Sequence, residues 1–109
     1  PRGCEDAARY FYGNLLGLHE IPKPPALAQR GGVWFQIGAQ GLHVGVEEPF
    51  VAARKAHPAL LVRNVKVLAD RLTSAGSSVT WDNDLPGYQR FYTVDPWGNR
   101  LELLEPKRG

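Results

Sequence analysis

The chain has 109 residues, 13 Lys and Arg against 11 Asp and Glu, a formal net charge of +2, 43% hydrophobic residues and a single cysteine. That size predicts one domain, the composition is too apolar for disorder, and no apolar run approaches the roughly 20 residues of a membrane span. The basic residues are scattered, with only Arg54-Lys55 and Lys107-Arg108 as short clusters, which argues against nucleic acid as a partner, and the lone Cys4 points to a reduced, cytoplasmic setting.

Residues 4–16 read as a helix, because Ala8, Phe11, Tyr12 and Leu15 form one apolar stripe. Glu5 and Asp6 stand near its start and Gly17 at its end, where the helix dipole and a C-cap favour them. A short strand is predicted over 18–22, then a loop broken by Pro22, Pro24, Pro25, Gly31 and Gly32. Strands follow at 33–37 and 42–46, separated by a Gly-rich turn. A polar connection over 47–56 leads to a strand at 57–62. Asn64 is an N-cap candidate for a second helix with Val65, Leu68, Leu72 and Ala75 on one face, closed by Gly76. A strand at 78–81 and a loop at 82–88 precede the last element. This is a hairpin over 90–106, turning at Asp95-Pro96-Trp97-Gly98-Asn99.

The second half is thus β-α-β-β-β, and the first is α-β-β-β. Gly17 and Gly76 lie 59 residues apart, and the same shift places Phe35 on Val94, Leu42 on Leu101, Val44 on Leu103 and His43 on Glu102. The repeat is architectural, with few identities. It also sends the strand at 57–62 to a position just upstream of Pro1. A first strand of the first module is therefore expected outside this sequence.

The fold class expected is α+β, with two βαβββ modules. Module 1 spans 1–48 without its first strand, and module 2 spans 56–106. Helices with one apolar stripe cover one face of each sheet, and the other face is solvent or the inside of a cleft if the sheet curls.

Three residues interrupt this pattern. His43 and Glu102 each sit between two apolar strand residues, so alternation places them on the face away from the helices. His57 opens a strand of the same duplicated unit. Imidazole and carboxylate on neighbouring strands suit a divalent metal such as Zn, Mn, Fe or Ni. A half-solvated strand is the plain alternative for each residue alone. The three together favour the metal. His19, beside Glu20, reads as surface. Tyr88, Arg90 and Tyr92 share a strand face. Arg90 suits a two-pronged hydrogen bond to an anionic substrate group, or a surface pair with Glu105. Trp34 and Trp81 line a cleft or fill the core, with the core favoured for at least one.

Phe11-Tyr12, Leu16-Gly17-Leu18, Ala56-His57 and above all 95–103, DPWGNRLEL, resemble the vicinal oxygen chelate superfamily, which includes glyoxalase I, bleomycin resistance proteins and extradiol dioxygenases. The resemblance covers nearly the whole chain. It implies paired modules whose sheets curl around a metal cleft, with His57 and Glu102 as ligands and His43 as a further ligand or a catalytic base. The first-strand ligand would lie about two residues before Pro1. Trp34, Arg90 and Tyr92 are the substrate-binding candidates. The activity implied is metal-dependent chemistry of the glyoxalase or dioxygenase type on a small substrate chelating through adjacent oxygens. The alternative is a metal-free drug-sequestering protein of the bleomycin-resistance type. A homodimer is expected, because each module leaves sheet edges open.

Overall fold

The computed structural model describes residues 3–107; Arg108, from one of the two basic clusters, lies outside the described residues. The chain divides into two compact units, Pro1–Val51 and Ala52–Gly109. No helix among the described residues is long and apolar enough to cross a membrane.

The first unit begins with a turn of α-helix, α1 (Glu5–Ala8), that widens into a π-helix over Arg9–Leu15. The predicted stripe survives the widening, since Ala8, Phe11, Tyr12 and Leu15 are all buried. Leu16 N–H reaches back five residues to the Phe11 carbonyl, and Gly17 exits at φ 77°. Strand β1 (His19–Ile21) follows, with His19 exposed as expected. The 22–32 segment is not wholly loop, because Pro24 and Pro25 start a single helical turn, α2 (Pro25–Ala28). Strands β2 (Val33–Ile37) and β3 (Gln40–Val44) complete an antiparallel sheet of order β1-β2-β3. Val33 and Phe35 are buried and in phase. Gly32, at φ 88°, lies against β3 so closely that a Cβ there would meet the Val44 carbonyl at 2.3 Å. The carboxylate of Glu5 accepts a 2.9 Å hydrogen bond from Gly32 N–H and ties this loop to the helix start.

In the second unit, β4 (Ala59–Leu61) leads through αL Asn64 into helix α3 (Val65–Ser74). Strands β5 (Thr80–Asp82), β6 (Tyr88–Val94) and β7 (Arg100–Pro106) follow, and the sheet order is β4-β7-β6-β5. The β4-β7 pair is parallel and the others antiparallel, so the sheet is mixed. Helix α3 buries Val65, Leu68, Ala69 and Leu72, and packs on β6 and β7. Leu60, Phe91, Leu101 and Leu103 are the buried apolar residues of this sheet. Ala75 falls outside the stripe and is exposed, because the helix ends at Ser74.

Asn64 does not cap α3 with its own side chain. The Glu105 carboxylate accepts from Asn64 N–H at 2.8 Å and Val65 N–H at 3.0 Å, so the cap is delivered by β7. Of the two alternatives for Arg90, the surface pair with Glu105 is not what forms, since its guanidinium bonds Glu102 and Asp82. Arg90 stands opposite Leu104, one step out of register with Glu105.

The turn of the predicted hairpin is organised by Asp95. Its side chain accepts from Trp97 N–H at 3.0 Å, Asn99 N–H at 2.8 Å and the Asn99 side chain at 2.8 Å. Only Gly98 takes positive φ, at 88°. The resulting register pairs Tyr92 with Glu102 and Thr93 with Leu101. In the first unit Trp34 pairs with His43 and Phe35 with Leu42. The two hairpins therefore correspond, and His43 does match Glu102. Phe35, however, matches buried Thr93 rather than exposed Val94, because the longer turn shifts the incoming strand by one residue.

Candidate functional site

Glu102 is 6% exposed although it lies on the sheet face away from α3. A buried carboxylate needs partners for both oxygens. Oε2 accepts from Arg90 Nη1 at 3.2 Å, and Oε1 stands 3.0 Å from His57 Nε2. Backbone pairing explains the meeting. Glu102 N–H donates to the Pro58 carbonyl at 3.0 Å, and Ala59 is its parallel partner on β4. His57 therefore lies just ahead of β4, beside Glu102, rather than within the strand.

His57 is fixed at its other nitrogen as well. Nδ1 lies 2.6 Å from the Lys55 carbonyl oxygen, which can only accept. Nδ1 thus carries the proton in the tautomer assigned from this network. In the neutral ring Nε2 then holds a lone pair, and that lone pair faces a carboxylate oxygen at 3.0 Å. A proton or a cation must lie between them. This is the arrangement of metal-binding histidines, whose second nitrogen commonly donates to a backbone carbonyl.

Arg90 is held in turn. Its Nη2 donates to Asp82 Oδ1 at 3.1 Å, across the β5-β6 ladder. Burial works against the charged guanidinium, but its bonds to Asp82 and Glu102 outweigh this and raise its pKa above the ordinary value. Asp82 is held below the usual carboxylate range by Asp84 N–H and then by Arg90. Both prongs of Arg90 are thus taken by protein, and Nε has no hydrogen-bond partner among the described residues. Tyr92 stands edge-on to His57 at 5.5 Å between centroids, and Arg100 lies over its ring at 4.1 Å. The sequence reading passed over Arg100, although it shares a strand face with Glu102 at a spacing of two.

In the first unit His43 is exposed and stacks on Trp34, with centroids 3.6 Å apart and planes 2° from parallel. Trp34 also lines a cavity of about 240 Å³ with Lys23, Leu27 and Arg30. Trp34 is half-buried and Trp81 is 47% exposed, resting edge-on against Phe91, so neither is a core residue.

Two donors 3.0 Å apart fit adjacent positions around one cation, whose distances to nitrogen and oxygen run about 2.0–2.2 Å. Among the described residues no group of three or more His, Cys, Asp and Glu side chains converges. His57 and Glu102 therefore fit as part of a ligand set. Arg90 opposes this, since its charge neutralises part of the Glu102 carboxylate.

No protein-family model and no curated protein matches the chain. Solved structures do. A glyoxalase family protein from Bacillus anthracis is 47% identical with a TM-score of 0.93, covering 98% of this chain and 88% of that one. Lactoylglutathione lyase from Agrobacterium tumefaciens is 24% identical with a TM-score of 0.69, covering 93% and 84%. TnmS3, an antibiotic binding protein from Streptomyces sp. CB03234, is 20% identical with a TM-score of 0.75, covering 98% and 90%. The last two share the fold. With nearly half of its residues identical to the Bacillus anthracis protein over almost its whole length, the chain belongs to the glyoxalase family and has the vicinal oxygen chelate fold.

Proposed function

We propose that this protein is a metal-dependent enzyme of the glyoxalase or dioxygenase type, formed by one domain of two modules. Its substrate is a small molecule that chelates the metal through adjacent oxygens. The observation that carries this reading is His57 Nε2 standing 3.0 Å from Glu102 Oε1 while Nδ1 is committed to the Lys55 carbonyl. His57 and Glu102 are the ligands assigned to this part of the chain. A bound divalent ion such as Zn, Mn, Fe or Ni would act as a Lewis acid, stabilising negative charge that develops on a substrate oxygen.

The chain's own residues do the rest. Lys55 and Arg90 orient His57 and Glu102, and Tyr92 covers the pair on one side. Arg90 Nε is buried without a hydrogen-bond partner among the described residues, so Arg90 serves the site through its charge and its hold on Glu102. His43 is the candidate for proton transfer or for a further ligand, and Trp34 gives it a flat, apolar support. A homodimer is part of the proposal, because each sheet has two edge strands, β1 and β3 in one unit and β4 and β5 in the other.

Two points favour a metal-free binding protein instead. The Arg90 guanidinium already serves Glu102, and TnmS3 carries an antibiotic-binding role on the same fold. Elemental analysis of purified protein separates the two. The enzyme reading expects a transition metal that His57→Ala or Glu102→Ala removes. Near-zero metal, unchanged in both variants, would sink it.

A further inference from the structure

A cavity of about 370 Å³ opens on the second unit, on the sheet face that carries Tyr92 and Glu102. Its lining includes Arg54, Ser78, Thr80, Tyr92, Val94 and Arg100. The register accounts for the grouping. Thr80 pairs with Tyr92 and Arg100 with Val94, so these side chains share one face, and Ser78 precedes Thr80 by two. The wall thus offers two guanidinium groups, two hydroxyls and an aromatic ring.

The charge is unbalanced. Neither Arg54 nor Arg100 has an ion-pair partner among the described residues. The acidic groups on this part of the sheet are engaged elsewhere, since Asp82 accepts from Arg90 and Asp84, and Glu102 faces Arg90 and His57. Asp82 feels the field of Arg100 but is not paired with it. Arg100 Cζ lies 4.1 Å from the centroid of the Tyr92 ring, a contact that uses none of the guanidinium's hydrogen-bond donors.

We propose that this cavity binds the oxyanion of a small planar organic acid, a carboxylate or a phosphate ester. Arg100 and Arg54 hold the anion, Ser78 and Thr80 complete its hydrogen bonds, and the planar body lies near Tyr92. Planar guanidinium groups suit such anions because they donate two parallel hydrogen bonds. The proposal deepens the enzyme reading, because Tyr92 borders both this cavity and His57, so the anion would anchor a substrate beside the His57–Glu102 pair.

The test is calorimetric titration of the purified full chain with benzoate, phenyl phosphate and benzamide at low and high salt. Benzoate or phenyl phosphate should bind with an affinity that falls as salt rises, and benzamide should bind at least about tenfold more weakly. The ratio of the two anions identifies which oxyanion the site prefers. Arg100→Ala and Arg54→Ala should each weaken anion binding by about tenfold or more and leave benzamide unchanged. Arg100→Lys should retain part of the affinity, as a charge without the two-pronged geometry.

His57→Ala separates this claim from the metal reading. Salt-sensitive anion binding that survives in His57→Ala supports the cavity, whatever the metal content. Binding abolished by His57→Ala and untouched by Arg100→Ala and Arg54→Ala would place the anion on a metal and overturn the proposal. Equal binding of all three probes, or no binding by folded protein, would overturn it too.

Discussion

The Glu105 cap ties the strand that carries Glu102 to the start of α3, and its removal has a calculable cost. Glu105→Ala deletes the acceptor for Asn64 N–H at 2.8 Å and Val65 N–H at 3.0 Å. Val65 is fully buried, so water replaces the lost bond poorly. Loss of a helix N-cap typically costs about 1 kcal/mol, and loss of a negative charge at a helix start adds about 0.3–1 kcal/mol. The expected loss is therefore about 1.5 kcal/mol. Glu105→Gln keeps one acceptor oxygen without the charge and should lose about half as much. Urea unfolding followed by circular dichroism measures both. The midpoint should fall in the order wild type, Glu105→Gln, Glu105→Ala, with little change in slope. A Glu105→Ala protein within about 0.5 kcal/mol of wild type would refute the reasoning, because surface substitutions away from such features fall in that range.

Glu5 predicts a pH dependence. The Gly32 N–H, the largest influence, holds its carboxyl below the ordinary 4.5. A depressed pKa adds stability above the ordinary value and loses it as pH falls through the folded value. Wild type should therefore be more stable than Glu5→Gln at pH 7, and the gap should close below about pH 4.5, as read from paired unfolding curves. Gly32→Ala should destabilise by at least about 2 kcal/mol, since it combines a left-handed φ with a contact against the Val44 carbonyl; a neutral result would show that the β3 backbone yields easily. Arg90→Met should tighten metal binding by on the order of tenfold, because it removes a cation from Glu102. Titration with Zn²⁺ or Mn²⁺ reads this, and weaker binding would show that Arg90 serves mainly to orient the carboxylate.

Much of this was legible in the residues, for identifiable reasons. The apolar stripes of both helices and the alternation along 100–104 follow from periods of 3.6 and 2, which sequence displays directly. Asp95, Pro96 and Gly98 supply turn chemistry that sets the register of β7, and with it the face on which Glu102 lies. The match of His43 to Glu102 survived because the repeat holds on those strands. What failed was long-range. The capping role of Glu105 depends on a residue 40 positions from the amide it serves. Arg90 engages Glu102 and Asp82 through two different strand pairs, and no local pattern announces that. The one-residue slip of Phe35 came from unequal turns, 38–39 closed by Ile37 and Gln40 in one unit and 96–98 closed by Asp95 and Asn99 in the other. Arg100 was visible by spacing alone, two residues from Glu102, but its neighbour Arg54 comes from a distant loop.

The central claim is that a cation belongs between His57 Nε2 and Glu102 Oε1. Nitrogen-15 NMR of the histidine rings during titration of metal-stripped protein with Zn²⁺ tests it most directly. The predicted result is a His57 ring protonated at Nδ1 whose Nε2 resonance moves to a metal-bound position on addition of Zn²⁺, with no such change in Glu102→Ala. A His57 ring protonated at Nε2, or a spectrum indifferent to the metal, would contradict it.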